Sequence, residues 1–216
     1  MYPKPLQNLI DLFAKFPGVG PRQAMRFAFF LLKQQNALVS EFQQGLAGLS
    51  QIRQCILCFR TIHSDSIVGA GQNGSEETLC MLCKDPKRDH GAVAVVEKES
   101  DMHSIEQTRI FHGLYHILDG VISPLDPESP KRLHLRELHS RVTKLLEHNG
   151  KAEVILATSS TTEGDTTALY IDRILIPLKT KFPDFAITRL ARGLSLGSEL
   201  EYADEITLKS ALTNRK

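Results

Sequence analysis

Apolar side chains recur at helical spacing over the first fifty residues of the chain. The first such stretch predicts an amphipathic helix that ends at Phe16, because Pro17 disfavours helical backbone at the residue before it. A second stretch of the same period predicts a helix with Pro21 in its first turn, where a missing N–H group costs nothing. A third helix is predicted over residues 37–53. The amino-terminal part is therefore expected to be all-helical.

From Gly91 onward, the apolar positions form short continuous runs instead. Runs of this kind predict buried strands, here over residues 92–96, 114–118, 154–157 and 186–190. Stretches with helical periodicity lie between these runs. Strands that alternate with helices predict a parallel sheet covered on both faces. The expected fold class is a multi-module α/β protein.

All four cysteines fall into two Cys-x-x-Cys pairs. Cys55 and Cys58 form the first pair, and Cys80 and Cys83 form the second, with 21 residues between them. A zinc ion in a structural site takes four donors at the corners of a tetrahedron, and each pair supplies two thiolates from one tight turn. Since no cysteine is left over, this arrangement favours one structural Zn²⁺ per chain.

Two other uses of the cysteines stay open at this point. A redox pair of the thioredoxin type follows a strand and opens a helix, and neither pair is predicted in that setting. Two disulfides would need an oxidising compartment, and the first residues lack the apolar run of a secretory signal. No apolar stretch is long enough to cross a membrane. The sequence therefore predicts a cytoplasmic protein, in which zinc is the favoured use of the cysteines.

Charge and turn chemistry point to a phosphate-binding surface near the amino terminus. The chain carries a net charge of only +1, but its first 60 residues hold seven Lys or Arg against two acidic residues. Gly18 and Gly20 predict a tight reversal with positive φ before the second helix. The start of that helix, followed by Arg22 and Arg26 on one face, predicts a helix–hairpin–helix that contacts a nucleic-acid backbone without reading sequence. The alternative is an ordinary helical hairpin with a solvated basic surface.

Carboxylates follow two of the predicted strands. Glu97 and Asp101 come after the first strand, and Glu163 and Asp165 come after the third. Functional groups gather at the carboxyl ends of parallel strands, so these acids are candidates for holding Mg²⁺. Each acid has a simpler interpretation as a helix cap or as a solvated loop residue. A Gly-x-Gly-x-x-Gly pattern over residues 69–74 is interpreted as a loop, because no helix is predicted to follow it.

In this order, the modules resemble the bacterial recombination mediator family RecR. The resemblance covers nearly the whole chain. It is carried by residues 16–22, the two cysteine pairs, residues 95–97 with Asp101, residues 154–157 with the Glu163–Gly164 step, and residues 192–200.

The resemblance implies a fold, a set of partners and a role for several residues. The fold is a Toprim domain, and the assembly is a dimer or a ring-like tetramer that clamps DNA and works with RecO and RecF to load RecA at single-stranded gaps. Arg22 and Arg26 would contact DNA. Glu97, Asp101 and Glu163 would belong to an acidic face that meets RecO.

The resemblance also implies a division into four regions. Residues 1–54 form the helix–hairpin–helix region, residues 55–84 the zinc finger, and residues 91–192 the Toprim domain. Residues 193–216 serve subunit contacts. The spacer between the two cysteine pairs is much longer than is usual for the family.

Catalytic Toprim enzymes differ from this chain at two positions. They place an Asp-x-Asp pair just before the Glu–Gly step, where this chain has Ser159 and Thr161. A hydroxyl cannot supply the negative charge that a two-metal phosphoryl-transfer site needs. The sequence therefore predicts a protein without enzymatic activity. The alternative is a Mg²⁺-dependent enzyme of the Toprim class, such as a nuclease, topoisomerase or primase.

Overall fold

The structure is a computed structural model, and it describes residues 2–34, 36–64, 78–191, 193–194, 197 and 199–213. The glycine-rich loop predicted over residues 69–74 lies outside this part. The chain divides into two compact units, residues 1–52 and residues 53–216.

The first unit is helical, as predicted. It contains α1 (Lys4–Phe13), α2 (Pro21–Lys33) and α3 (Asn36–Gly48). α1 and α2 pack through the buried residues Ile10, Ala24 and Ala28. The two alanines have short side chains, so the helices can approach closely at this point.

Two helix ends differ from the prediction. α1 ends at Phe13 rather than at Phe16, because the amides of Lys15 and Phe16 bond three residues back in tight turns, with Phe16 N donating to Phe13 O. α3 ends at Gly48, and the predicted continuation to residue 53 is wrong. A short 3-10 helix (Leu49–Gln51) and the strand β1 (Ile52–Gln54) follow instead. β1 pairs with β2 (Thr61–His63), a partner that local periodicity cannot reveal.

The second unit is built on a four-stranded sheet. Its strands are β3 (Asp89–Val96), β4 (Gly113–Ile117), β5 (Ala152–Leu156) and β6 (Phe185–Arg189), in the order β4-β3-β5-β6. All three neighbouring pairs are parallel, which confirms the predicted sheet. The strand bounds differ from the predicted ones by at most three residues, and the predicted end of β3 at Val96 is confirmed.

Helices cover both faces of this sheet. α5 (Glu99–Gln107) packs on the face that carries Ala94 and Val96. On the opposite face, α7 (Leu135–Asn149) and α8 (Thr162–Lys181) pack around Val95, Val154 and Leu156. Gly150 ends α7 in a left-handed conformation with φ of 72°, as Asn149-Gly150 predicts.

The remaining elements of the second unit are short. They are α4 (Met81–Lys84), α6 (Ser129–Arg132), a 3-10 turn over Leu200–Tyr202 and the terminal α9 (Glu205–Thr213). Among the described residues, no helix has both the length and the apolarity that a membrane span needs.

Candidate metal centre and strand-edge site

The two Cys-x-x-Cys turns bring all four sulfurs into one buried cluster. Cys55 follows β1, and Cys80 stands directly before α4, so neither pair both follows a strand and opens a helix. The four sulfur atoms lie within 4.8 Å of one another and belong to free cysteines. Tetrahedral zinc with bonds of about 2.3 Å separates its sulfur ligands by about 3.8 Å. The donor set therefore fits a tetrathiolate metal ion.

Backbone amides favour the ionised form of these sulfurs. The amide of Cys80 donates to Cys55 Sγ at 3.3 Å, and the amide of Cys83 donates to Cys80 Sγ at 3.4 Å. The Cys58 thiol can donate to Cys55, which lowers the pKa of Cys55 below its ordinary value and raises that of Cys58. Without a metal, the cluster therefore shares protons, whereas a bound metal ionises every thiol.

The first cysteine turn, residues 55–58, is anchored to the edge strand β4. The carbonyl of Cys58 accepts a hydrogen bond from Ile117 N at 3.0 Å. Phe59, with φ of 63°, stacks on His134 with ring centroids 3.7 Å apart. Burial, with a smaller contribution from a nearby guanidinium, lowers the pKa of His116 to about 3. The cysteine turn and the packing of β4 thus share one set of contacts.

Glu97 lies at the carboxyl end of β3, and one of its two carboxylate oxygens is held by its own chain. Its side chain is buried, and Oε1 accepts hydrogen bonds from Ser159 N at 2.7 Å and from Ser159 Oγ at 2.6 Å. A β-carbon on Gly164 would lie 2.3 Å from Ser159 O and 2.8 Å from Glu97 Oε1. Only glycine fits at this position, which explains the Glu163–Gly164 step in physical terms.

The other acids that follow β3 and β5 do not join Glu97 in a common site. Asp101 accepts a hydrogen bond from the amide of Lys98 at 3.0 Å and so caps the start of α5. Glu163 is exposed in the first turn of α8, and Asp165 pairs with Arg189. Within the described ranges, the cysteines are the one group of three or more metal-ligating side chains brought together.

The hairpin before α2 differs in one detail from the prediction. Gly18 has a φ of +75°, as a tight reversal requires, whereas Gly20 has a φ of −80° and serves as the extended N-cap residue of α2. Gly20 offers no side chain to cap the first turn, so amides at this end stay available to a ligand. Arg22 and Arg26 are both exposed in the first two turns.

Sequence reasoning did not assign a partner to Glu97. The sequence marks Ser159 only as the residue that stands in place of an aspartate. The hydroxyl just before the Glu–Gly step is the available signal for its contact with Glu97. Thr161 also has a structural role, because its hydroxyl accepts a hydrogen bond from Gly164 N at 3.1 Å and so caps α8.

Helical hairpin, four-cysteine centre and parallel sheet together define a multi-module α/β protein of the Toprim class. Family models match over residues 6–49 ("RecR, helix-hairpin-helix"), 91–191 ("Toprim domain") and 193–216 ("RecR, C-terminal"). The chain therefore belongs to the RecR family of recombination proteins, which confirms the resemblance seen in the sequence.

The chain is also similar to individual RecR proteins over nearly its full length. The chain is 42% identical to Recombination protein RecR of Pediococcus pentosaceus, covering 99% of this chain and 98% of that protein. It is 44% identical to the Moorella thermoacetica protein of the same name, covering 99% and 97%. It is 40% identical to the one from Nocardia farcinica, covering 100% and 99%.

Proposed function

We propose that this chain is a non-enzymatic, DNA-binding clamp of recombinational DNA repair. The start of α2 carries the proposal, because it combines a side-chain-free N-cap at Gly20 with the two exposed arginines Arg22 and Arg26. Helix amino termini attract phosphate through free amides and the helix dipole. Gly18 and Gly20 let a phosphate approach the backbone, since a β-carbon at either position would meet no atom within 4 Å.

Binding of this kind is independent of base sequence. Arg22 and Arg26 lie one helical turn apart, so both guanidinium groups can reach successive phosphates along one strand. Each phosphate contact releases a counterion, so we expect affinity to fall steeply as salt rises.

The strand edge supports a role without catalysis. The Glu97 carboxylate already accepts two hydrogen bonds on one oxygen, and Ser159 and Thr161 stand where Toprim enzymes carry a pair of aspartates. We infer that Glu97, Asp101 and Glu163 form part of a partner-binding face, and that RecO is the partner by family resemblance. Bound Mg²⁺ at this edge belongs to the alternative, a Toprim-class enzyme.

Zn²⁺ is the metal we assign to the cysteine cluster. Cys55, Cys58, Cys80 and Cys83 would hold it in a closed site, where it supplies folding energy and no chemistry. We place the protein in the bacterial cytoplasm, at the nucleoid during repair, acting with RecO and RecF to load RecA.

A clamp also needs more than one subunit. An apolar groove of about 840 Å³ in the first unit is lined by Leu9, Phe13 and Phe42 among others. In the last segment, Leu200 and Tyr202 are 66% and 79% exposed. Both features support a homo-oligomer, either a dimer or a ring-like tetramer, with residues 193–216 in subunit contacts.

The DNA-contact proposal is tested by a double substitution. We expect Arg22→Ala with Arg26→Ala to lower the affinity for DNA about tenfold or more on every sequence tested. The slope of log affinity against log salt concentration should fall by an amount that corresponds to the loss of about two phosphate contacts. Lys179→Ala with Lys181→Ala removes the same charge from the exposed end of α8 and serves as the control. The measurement is fluorescence anisotropy with single-stranded DNA over a salt series. Equal affinities for the two double variants would overturn the proposal.

Catalysis is tested separately. A nicking assay on supercoiled DNA with Mg²⁺ or Mn²⁺ is expected to show no turnover. Turnover that disappears in Glu97→Ala would favour the enzyme instead.

A further inference from the structure

Arg141 is a buried cation in the middle of α7. The residue is 8% exposed, and over the described ranges no carboxylate lies within ion-pair distance of it. Other arginines of this unit, such as Arg88 and Arg189, pair with acids. Burial of a guanidinium without an anion has a desolvation cost that hydrogen bonds to neutral groups only partly recover.

The partners of Arg141 connect the cysteine turn to the sheet. Nη1 donates to Leu57 O at 2.8 Å and to Tyr115 O at 2.6 Å. Leu57 directly precedes Cys58, and Tyr115 belongs to β4, the strand to which the Cys58 carbonyl is bonded. Nη2 is also buried, and it has no hydrogen-bond partner in the described part of the chain.

The cysteines are the nearby source of negative charge. Burial lowers the pKa of Arg141, whereas negative charge on Cys83, Cys58, Cys55 and Cys80 acts to raise it. Glu137 lies one turn earlier on α7, but its side chain is exposed. No other acid competes with the thiolates for this guanidinium in the described residues.

This charge balance depends on the metal. Four thiolates around one divalent ion leave a net charge of −2, and metal binding is what ionises all four thiols. The metal-loaded cluster and the buried arginine therefore each remove part of the other's electrostatic cost.

We propose that Arg141 is the counter-cation of the four-cysteine metal centre, and that its bonds to Leu57 and Tyr115 link metal occupancy to the anchoring of the cysteine turn on β4. Arg141 is thus a positioning residue that acts on the metal through charge and through the ligand-bearing turn. The proposal rests on zinc as the metal in the proposed function.

The test compares two arginines of the same helix. Arg141→Met keeps a long apolar side chain and removes the charge, and Arg136→Met makes the same change at an exposed position of α7. Zinc affinity is measured by competition with a chromophoric chelator. We expect Arg141→Met to bind zinc about 10-fold to 100-fold more weakly than wild type, as is typical for residues that support metal ligands. Arg136→Met should stay within about twofold, because solvent screens an exposed charge.

Two further measurements separate charge from simple structural support. With Co²⁺ in place of zinc, loss of a nearby cation raises the energy of the thiolate electrons, so the sulfur-to-cobalt charge-transfer band should move to longer wavelength in Arg141→Met. Arg141→Lys keeps the charge, so its band should stay close to that of wild type. A purely structural arginine would weaken the metal-free and metal-loaded forms alike and leave the band in place.

The outcomes are distinct. If wild type binds zinc and Arg141→Met matches Arg136→Met in affinity and cobalt spectrum, the counter-cation proposal is overturned and the zinc assignment stands. If wild type itself binds no zinc, the zinc assignment and this proposal both fail.

Discussion

The second unit holds two candidate metal sites: the cysteine cluster, and the acids that follow the carboxyl ends of β3 and β5. The two sites differ in whether their donor atoms come together. The sulfurs of Cys55, Cys58, Cys80 and Cys83 converge within 4.8 Å. At the strand edge, the Glu97 carboxylate bonds Ser159, and Asp101 bonds the amide of Lys98. Two short cysteine turns thus bring four candidate metal ligands together. Glu97 and Asp101, which the sheet topology places at the same end of the strands, instead accept hydrogen bonds from nearby loop residues.

The largest expected effect tests the cysteine side of this comparison. Cys58→Ser removes one of the four proposed zinc ligands, and structural zinc sites contribute about 10–16 kcal/mol in small peptides. We expect the second unit to lose its cooperative melting transition. Met81→Ser, at a 71% exposed position between Cys80 and Cys83, should melt like wild type. Circular dichroism on heating provides the measurement, and an unchanged transition in Cys58→Ser would rule out a structural metal.

The sequence predicts most of one site and little of the other. Cysteine spacing is local, so the four candidate metal ligands can be read directly from it. The hydrogen bonds between Glu97 and Ser159 join residues 62 positions apart, a contact that no periodicity encodes.

Buried polar residues and helix ends are limited in the same way. Arg141 interrupts the apolar face of α7 between Leu138 and Val142, and this interruption is visible in the sequence. Its hydrogen-bond partners lie on other elements, so the sequence does not reveal them. The predicted α3 also ran too far, because residues 52–54 are held as a strand by pairing with β2.

A second prediction tests the packing of the strand edge. Gly164→Ala places a methyl group 2.3 Å from Ser159 O, so the loop must move and the Glu97–Ser159 contact must lengthen. We expect a loss of about 3 kcal/mol in the free energy of unfolding, from overpacking against backbone. Chemical denaturation measures the loss. Gly48→Ala is the control, because its β-carbon would meet no described atom within 4 Å. Equal stability of the two variants would show that the edge is loosely packed.

The smallest effect near neutral pH concerns the histidine beneath the cysteine turn. The pKa of His116 is about 3 in the fold, against about 6.5 in an unfolded chain. The fold therefore holds neutral His116, and its contribution to stability is complete above pH of about 6.5. Below that value the unfolded state binds the extra proton, so we expect a loss of about 1.4 kcal/mol per pH unit down to about pH 3.

His116→Gln removes this titration and keeps a donor for His134 O, which lies 2.8 Å from Nε2 of the native side chain. The measurement is the stability of both chains between pH 7.5 and 5.5, at one zinc concentration. Acid would also release zinc, but from wild type and variant alike. The difference between their free energies of unfolding therefore isolates the contribution of His116. Parallel stability curves for the two chains would contradict the assignment.

The central claim, that metal belongs to the cysteines and not to the acids, has a direct test. Metal content per chain, with the subunit number, is measured by native mass spectrometry for wild type, for Cys58→Ser, and for a triple variant with Glu97→Gln, Asp101→Asn and Glu163→Gln. We predict one zinc per chain in wild type and in the triple variant, and loss of zinc in Cys58→Ser. A metal ion that disappears with the three carboxylates and survives Cys58→Ser would contradict the account.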